Sequence, residues 1–140
     1  MDKWKTIFAS CENSGVYTAP AGQDAGAVKE AALSCGLEYF YVDLKKAKGK
    51  ADFLKIVAGS LGFPAYFGMN WDALSDCLTD MSWKPASGYV LDFKYFEIFA
   101  RKNPQDAEIA MNIMDSCISY WKEKTVPFYV ILSGPAPVDD

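Results

Sequence analysis

Three short runs of aromatic, β-branched and aliphatic residues constrain this chain most: Leu37–Leu44 (LEYFYVDL), Gly88–Phe93 (GYVLDF) and Pro127–Ser133 (PFYVILS). Each is nearly continuous in apolar side chains, so a strand built from it must be covered on both faces. Helical patterns separate the runs. Strands that alternate with helices in this way define an α/β domain. Its expected form is a small, mainly parallel β-sheet of three core strands packed by helices, with right-handed crossovers. The 140 residues, 51% of them hydrophobic, suffice for one such domain with a sizeable core.

The helices are bounded by their own signals. Asp24 is a fair N-cap for a helix that carries Val28, Ala31, Ala32 and Cys35 on one face and stops at Gly36. Residues Ala51–Leu61 place Phe53, Val57 and Leu61 together with Leu54 beside them; Gly62 closes this helix and Pro64 prevents its continuation. Lys45–Lys50 is a basic, polar connection. Lys94–Arg101 reads as a short helix with Phe96, Ile98 and Phe99 apolar. Asn103-Pro104 gives an N-cap followed by Pro at the first helical position, with Asp106 in the first turn. The helix that follows, to about Lys124, carries Ile109, Ile113, Cys117 and Trp121 at four-residue steps.

The N-terminus offers two short extended candidates, Trp4–Phe8 and Val16–Thr18, separated by the turn signal Glu12-Asn13-Ser14-Gly15, which allows a hairpin. Trp83–Ser87 is a turn-rich connection, and the Pro-rich tail after Ser133 is expected to fray.

One helix breaks the rules that the others keep. Asn70 is a good N-cap for a segment from Trp71 to Asp80, after a turn-rich entry with Gly62, Pro64 and Gly68. Trp71, Leu74, Leu78 and Met81 form its apolar stripe. On another face Asp72, Asp76 and Asp80 repeat every four residues and so form one column. Asp is a weak helix former, and like charges at this spacing cost roughly 0.2–0.5 kcal/mol per pair. Asp72 is favoured by the helix dipole, whereas Asp80, near the other end, is opposed by it. No Lys or Arg occurs from Ile56 through Trp83, so most of the net charge of −4 sits here. The column is either a solvated face or a functional one; the local cost favours looking for a function.

Composition removes several chemistries. There is no histidine, and the four cysteines Cys11, Cys35, Cys77 and Cys117 form no CxxC pair. Common zinc sites and Cys-His or Ser-His nucleophile systems are therefore absent, and small buried thiols are expected rather than disulfides. No Walker loop or GxGxxG motif occurs, and no cofactor is expected. The three carboxylates lie roughly 6 Å apart along one helix, which converges poorly on a single metal ion or a scissile glycosidic bond. A pI near 4.8 argues against direct nucleic-acid binding. No apolar run approaches the roughly 18 residues of a membrane span. The first residues make a poor signal peptide, which leaves a cytoplasmic location as the expectation. What remains is recognition: carboxylates beside Tyr66, Phe67 and Trp71 suit a basic protein, or a pocket built for phosphates such as a nuclease active site.

The run FPAYFGMNWDALSDCLTD resembles the barstar family of ribonuclease inhibitors, through Pro64, Tyr66, Phe67, Gly68, Asn70, Asp72, Ala73, Leu74, Asp76, Cys77, Leu78 and Thr79. The order of strands and helices agrees over roughly residues 37–133. Residues 1–36 resemble the N-terminal strand and helix extension of larger bacterial members, through Gly15-Val16-Tyr17. The chain is then expected to be a single barstar-like domain: extension 1–36, core 37–133, tail 134–140.

The resemblance implies a non-enzymatic inhibitor that plugs the active site of a bacterial ribonuclease. Tyr66 on the loop and Asp72 and Asp76 on the helix would make the contacts, with Asp76 the central anion. The founding member has tryptophan where Ser75 stands and Gly-Trp where Asp80-Met81 stands; its glutamate on the long helix falls nearest Tyr120, with Asp115 and Glu123 close in sequence. The changed face points to a different ribonuclease, such as a toxin domain for which this chain is the immunity protein. The expected partner-binding residues are Tyr66, Asp72, Ser75, Asp76 and Asp80. The rival expectation is an acidic interaction module for a basic partner that is not a nuclease.

Overall fold

A computed structural model describes residues 3–19, 25–64 and 67–133. Four strands, β1 (Gly15–Ala19), β2 (Glu38–Asp43), β3 (Tyr89–Lys94) and β4 (Phe128–Ser133), form one sheet in the order β1-β4-β3-β2, and all pairings are parallel. Among the described residues six α-helices connect or flank them: α1 (Lys3–Phe8), α2 (Ala25–Ser34), α3 (Lys50–Leu61), α4 (Trp71–Asp80), α5 (Phe96–Lys102) and α6 (Pro104–Glu123). The Asp24 cap and the tail from residue 134 lie outside the described residues.

Alternation along the strands sorts side chains between two cores. On one face Phe40, Val42, Leu91, Phe93, Phe128 and Val130 pack with α3, α4, α5 and α6. On the other face Val90, Tyr129 and Ile131 pack with Trp4 and Phe8 of α1 and Val28, Ala31 and Ala32 of α2. The first 36 residues thus supply both an edge strand and the cover of β3 and β4 on one sheet face. On that face the edge strand β2 leaves Tyr41 exposed, so the run Leu37–Leu44 is fully covered on one face only, contrary to the expectation from its composition. Gly88, just before β3, is squeezed into this arrangement: a Cβ there would lie 2.7 Å from Leu37 Cδ2 and 2.9 Å from the Pro127 carbonyl oxygen.

Four further expectations need correction. Residues 4–8 are helical, because Trp4 and Phe8 at a four-residue spacing stack on each other at 5.8 Å and Phe8 also meets the Tyr129 ring at 4.9 Å. No hairpin forms, since β1 pairs parallel with β4 from Gly15↔Tyr129 to Ala19↔Ser133. On α6 the buried residues are Ala107, Ala110, Met114, Cys117 and Ile118, whereas Ile109 is exposed. A step of four overshoots a full turn by about 40°, so a pure four-residue row spirals off the buried face. Asn103 also fails to cap α6 with its side chain; its Nδ2 donates to the Phe99 carbonyl at 3.2 Å and so closes α5 instead.

The two half-buried and two buried cysteines are all free thiols. Burial pushes the Cys117 thiol up to about 12, in keeping with a packing role.

Asp92 is the one buried carboxylate among the described residues. It accepts hydrogen bonds from the Tyr39 hydroxyl at 2.6 Å and from the Ser133 hydroxyl at 3.4 Å. Burial raises its pKa more than these donors and Lys94 lower it. The folded carboxyl therefore takes up its proton at a higher pH than the unfolded one. Its contribution to stability is least favourable above the raised pKa and improves as the pH falls through that value toward 3.8. Asp92→Asn should consequently be more stable than the wild type at pH 7, with the gain shrinking on acidification. Urea denaturation at a series of pH values measures it, and a variant that loses stability at pH 7 contradicts this balance.

Candidate functional site

The acidic helix α4 is seated by its apolar side. Leu74, Cys77 and Leu78 are buried, as is Met81 at the helix end. Burial of a leucine contributes roughly 1.5–3 kcal/mol. Trp71 is only half-buried; its ring lies 5.8 Å from Phe53, and the Lys50 ammonium sits over it at 5.8 Å. Burial and the neighbouring Asp76 and Asp80 raise the Cys77 thiol, which keeps it protonated and inert.

Both ends of the helix are tied. At the start, Asn70 Oδ1 accepts from the Ala73 amide at 2.7 Å while its Nδ2 donates to the Gly68 carbonyl at 3.3 Å. At the end, two indole N–H groups reach last-turn carbonyls: Trp83 Nε1 donates to Cys77 at 3.2 Å and Trp121 Nε1 to Leu78 at 2.7 Å. These donors satisfy carbonyls that would otherwise be orphaned at a helix C-terminus. They also blunt the negative end of the dipole beside Asp80. The entry loop is held by rings, with Phe63 4.8 Å from Phe67 and 5.1 Å from Trp83.

On this support Asp72, Asp76 and Asp80 are all exposed on one side of α4, and Ser75 beside them is half-buried. No described Lys or Arg lies within ion-pair distance of the three carboxylates; the one ion pair among the described residues is Lys84–Glu38. Among the described residues no group of three or more acidic or cysteine side chains is arranged to hold a metal ion. Tyr66 lies outside the described residues. Asp115, Tyr120 and Glu123 are exposed on α6, and Tyr120 stands edge-on to Trp121 at 5.1 Å with the Lys124 ammonium 4.9 Å from its ring.

Sequence reasoning did not single out Met69. It is 44% exposed and has φ +56, in the left-handed region that costs a residue with a Cβ about 1–2 kcal/mol. Nor did the sequence reveal the two indole bonds, since Trp121 reads there only as one of a row of apolar residues.

Two measurements check this support. Asn70→Ala should cost about 1 kcal/mol through loss of the cap. Trp121→Phe should cost a similar amount, about 1 kcal/mol, through the unmade bond to the Leu78 carbonyl. Chemical denaturation reads both, and a Trp121→Phe chain as stable as the wild type contradicts a structural role for that bond.

Comparison with known proteins bears on this site. No curated protein matches the chain. Among solved structures, the ADP form of the Aeropyrum pernix ORC2 protein matches with a TM-score of 0.68 and 11% identity, over 96% of this chain and 40% of that one. The Cdc6p structure from Pyrobaculum aerophilum matches with a TM-score of 0.53 and 11% identity, over 87% of this chain and 32% of that one. The chain thus spans less than half of either protein, and at such low identity the likeness is one of fold alone. The family model described as Barstar (barnase inhibitor) matches residues 37–133, which include all of α4 and its supports. A match over most of the chain, on a parallel sheet packed by helices, makes this protein a member of the barstar family.

Proposed function

We propose that this protein inhibits a bacterial ribonuclease by laying α4 over the enzyme's cationic active site. The observation that carries the reading is the exposed, unneutralised column of Asp72, Asp76 and Asp80 in a chain of this family. A ribonuclease binds RNA phosphates with cationic groups. Carboxylates fixed on a rigid helix can occupy the same groups, and little side-chain or backbone freedom is lost on docking because both helix ends are already tied. Asp76, mid-helix, is the central anion; Asp72 and Asp80 lie one turn to either side, and Ser75 is the adjoining contact on α4, with Tyr66 proposed as a further contact from the loop sequence. Asp80 is the contact that sets the target apart, since it extends the charge by a turn. A ribonuclease toxin is the proposed class of target, with this chain as its immunity protein in the cytoplasm.

Titration calorimetry with catalytically inactive ribonucleases, including toxin domains, tests the reading at low and high salt. Asp76→Ala should weaken the cognate complex by at least about 2 kcal/mol, in the range of hot-spot charges. Barstar itself is among the cases that define that range, so the figure belongs to the family rather than to this chain. Affinity should also fall with added salt. Binding indifferent to both changes would sink the proposal, and capture of only non-nuclease basic proteins would favour a general acidic interaction module.

A further inference from the structure

We infer that Met69 is an apolar anchor that inserts against the partner beside the acidic column. The inference rests on the inhibitor reading above and adds a second kind of contact to it. Four non-glycine residues among those described have positive φ: Met69, Met81, Tyr95 and Thr125. Burial or local contacts offset the strain at two of them. Met81 is buried in the core, and the half-buried Tyr95 ring has the Lys45 and Lys94 ammoniums 5.8 and 5.9 Å away. Thr125, a β-branched residue that bears a larger cost at positive φ, sits in the exposed turn after α6, where its amide donates to the Lys122 carbonyl at 2.9 Å. Met69 alone combines a disfavoured backbone with a large apolar side chain left 44% exposed.

Among the described residues, its neighbours Phe67 and Trp71 pack against the main core, whereas Met69 stays exposed. Glycine or asparagine would meet the left-handed geometry at lower cost. The residue is therefore unfavourable twice over in the free protein, in backbone and in solvation, and strain of that sort collects at binding sites. Its position fits such a role. It stands one residue before the Asn70 cap and three before Asp72, on a turn that Asn70 braces through the Gly68 carbonyl and the Ala73 amide. The side chain is thus presented on a fixed backbone. Its unbranched thioether can adapt to an irregular apolar ledge. The partner then has a cationic centre for Asp72 and Asp76 and an apolar ledge at the rim nearest the N-terminal end of α4.

The assignment makes stability and binding move in opposite directions, which a residue with a merely structural role would not do. Met69→Gly and Met69→Asn are each compared with the wild type by thermal unfolding and by titration with an inactive barnase-type ribonuclease and inactive ribonuclease-toxin domains. Both variants should melt about 2–4 °C higher. Both should bind the cognate enzyme about tenfold more weakly, with an unchanged salt dependence. A melting temperature at or below that of the wild type overturns the assignment. So does undiminished affinity in both variants while Asp76→Ala abolishes binding; that outcome leaves the inhibitor reading intact. If the wild type binds none of the ribonucleases, the inhibitor reading itself is overturned, and the anchor with it.

Discussion

A parallel sheet has no face that it can leave to water. Most of this structure follows from that constraint. β3 and β4 are buried on both sides, so one set of helices cannot suffice. α3 to α6 cover one face, and α1 and α2, from the N-terminal segment, cover the other. β1 completes the sheet beside β4. The segment before residue 37 is consequently part of the same packing problem as the rest, even though the family match begins at residue 37.

The same constraint explains why α4 can carry so much charge. Its apolar stripe is committed to the core through Leu74, Leu78 and Met81, and the Trp121 indole clamps its last turn from α6. Hydrophobic seating and satisfied helix ends tolerate a column of aspartates that local propensity alone would reject. The charge is then available outward on a support that does not need to rearrange. Met69 extends this pattern into the preceding turn, where backbone strain is sustained by the Asn70 bonds.

Much of this was legible in residue types. The strands beginning near residues 37, 88 and 127, the helix Trp71–Asp80 with its Asn70 cap, and the column of Asp72, Asp76 and Asp80 follow from period, caps and turns, and the structure places each within a residue or two. Local pattern failed where tertiary contact decided. Trp4–Phe8 reads as extended by its residue types, yet the stacking of Trp4 on Phe8 and of Phe8 on Tyr129 makes it a helix. The four-residue row from Ile109 misjudged the buried face of α6 because the helical period is shorter than four. The carboxylate of Asp92 lies inside a strand that reads as wholly buried, but its partners Tyr39 and Ser133 come from residues 53 and 41 positions away. The positive φ of Met69 has no signature in a residue type that normally avoids it.

The central claim is that α4 and the RNA substrate compete for one cationic site. Initial rates of RNA cleavage by the cognate ribonuclease, measured across substrate concentrations with increasing amounts of this protein, test it most directly. Competition predicts that the apparent inhibition constant rises linearly with RNA concentration and that cleavage is fully suppressed at saturating inhibitor. An inhibition constant independent of RNA concentration, or cleavage that persists at saturating inhibitor, would contradict it.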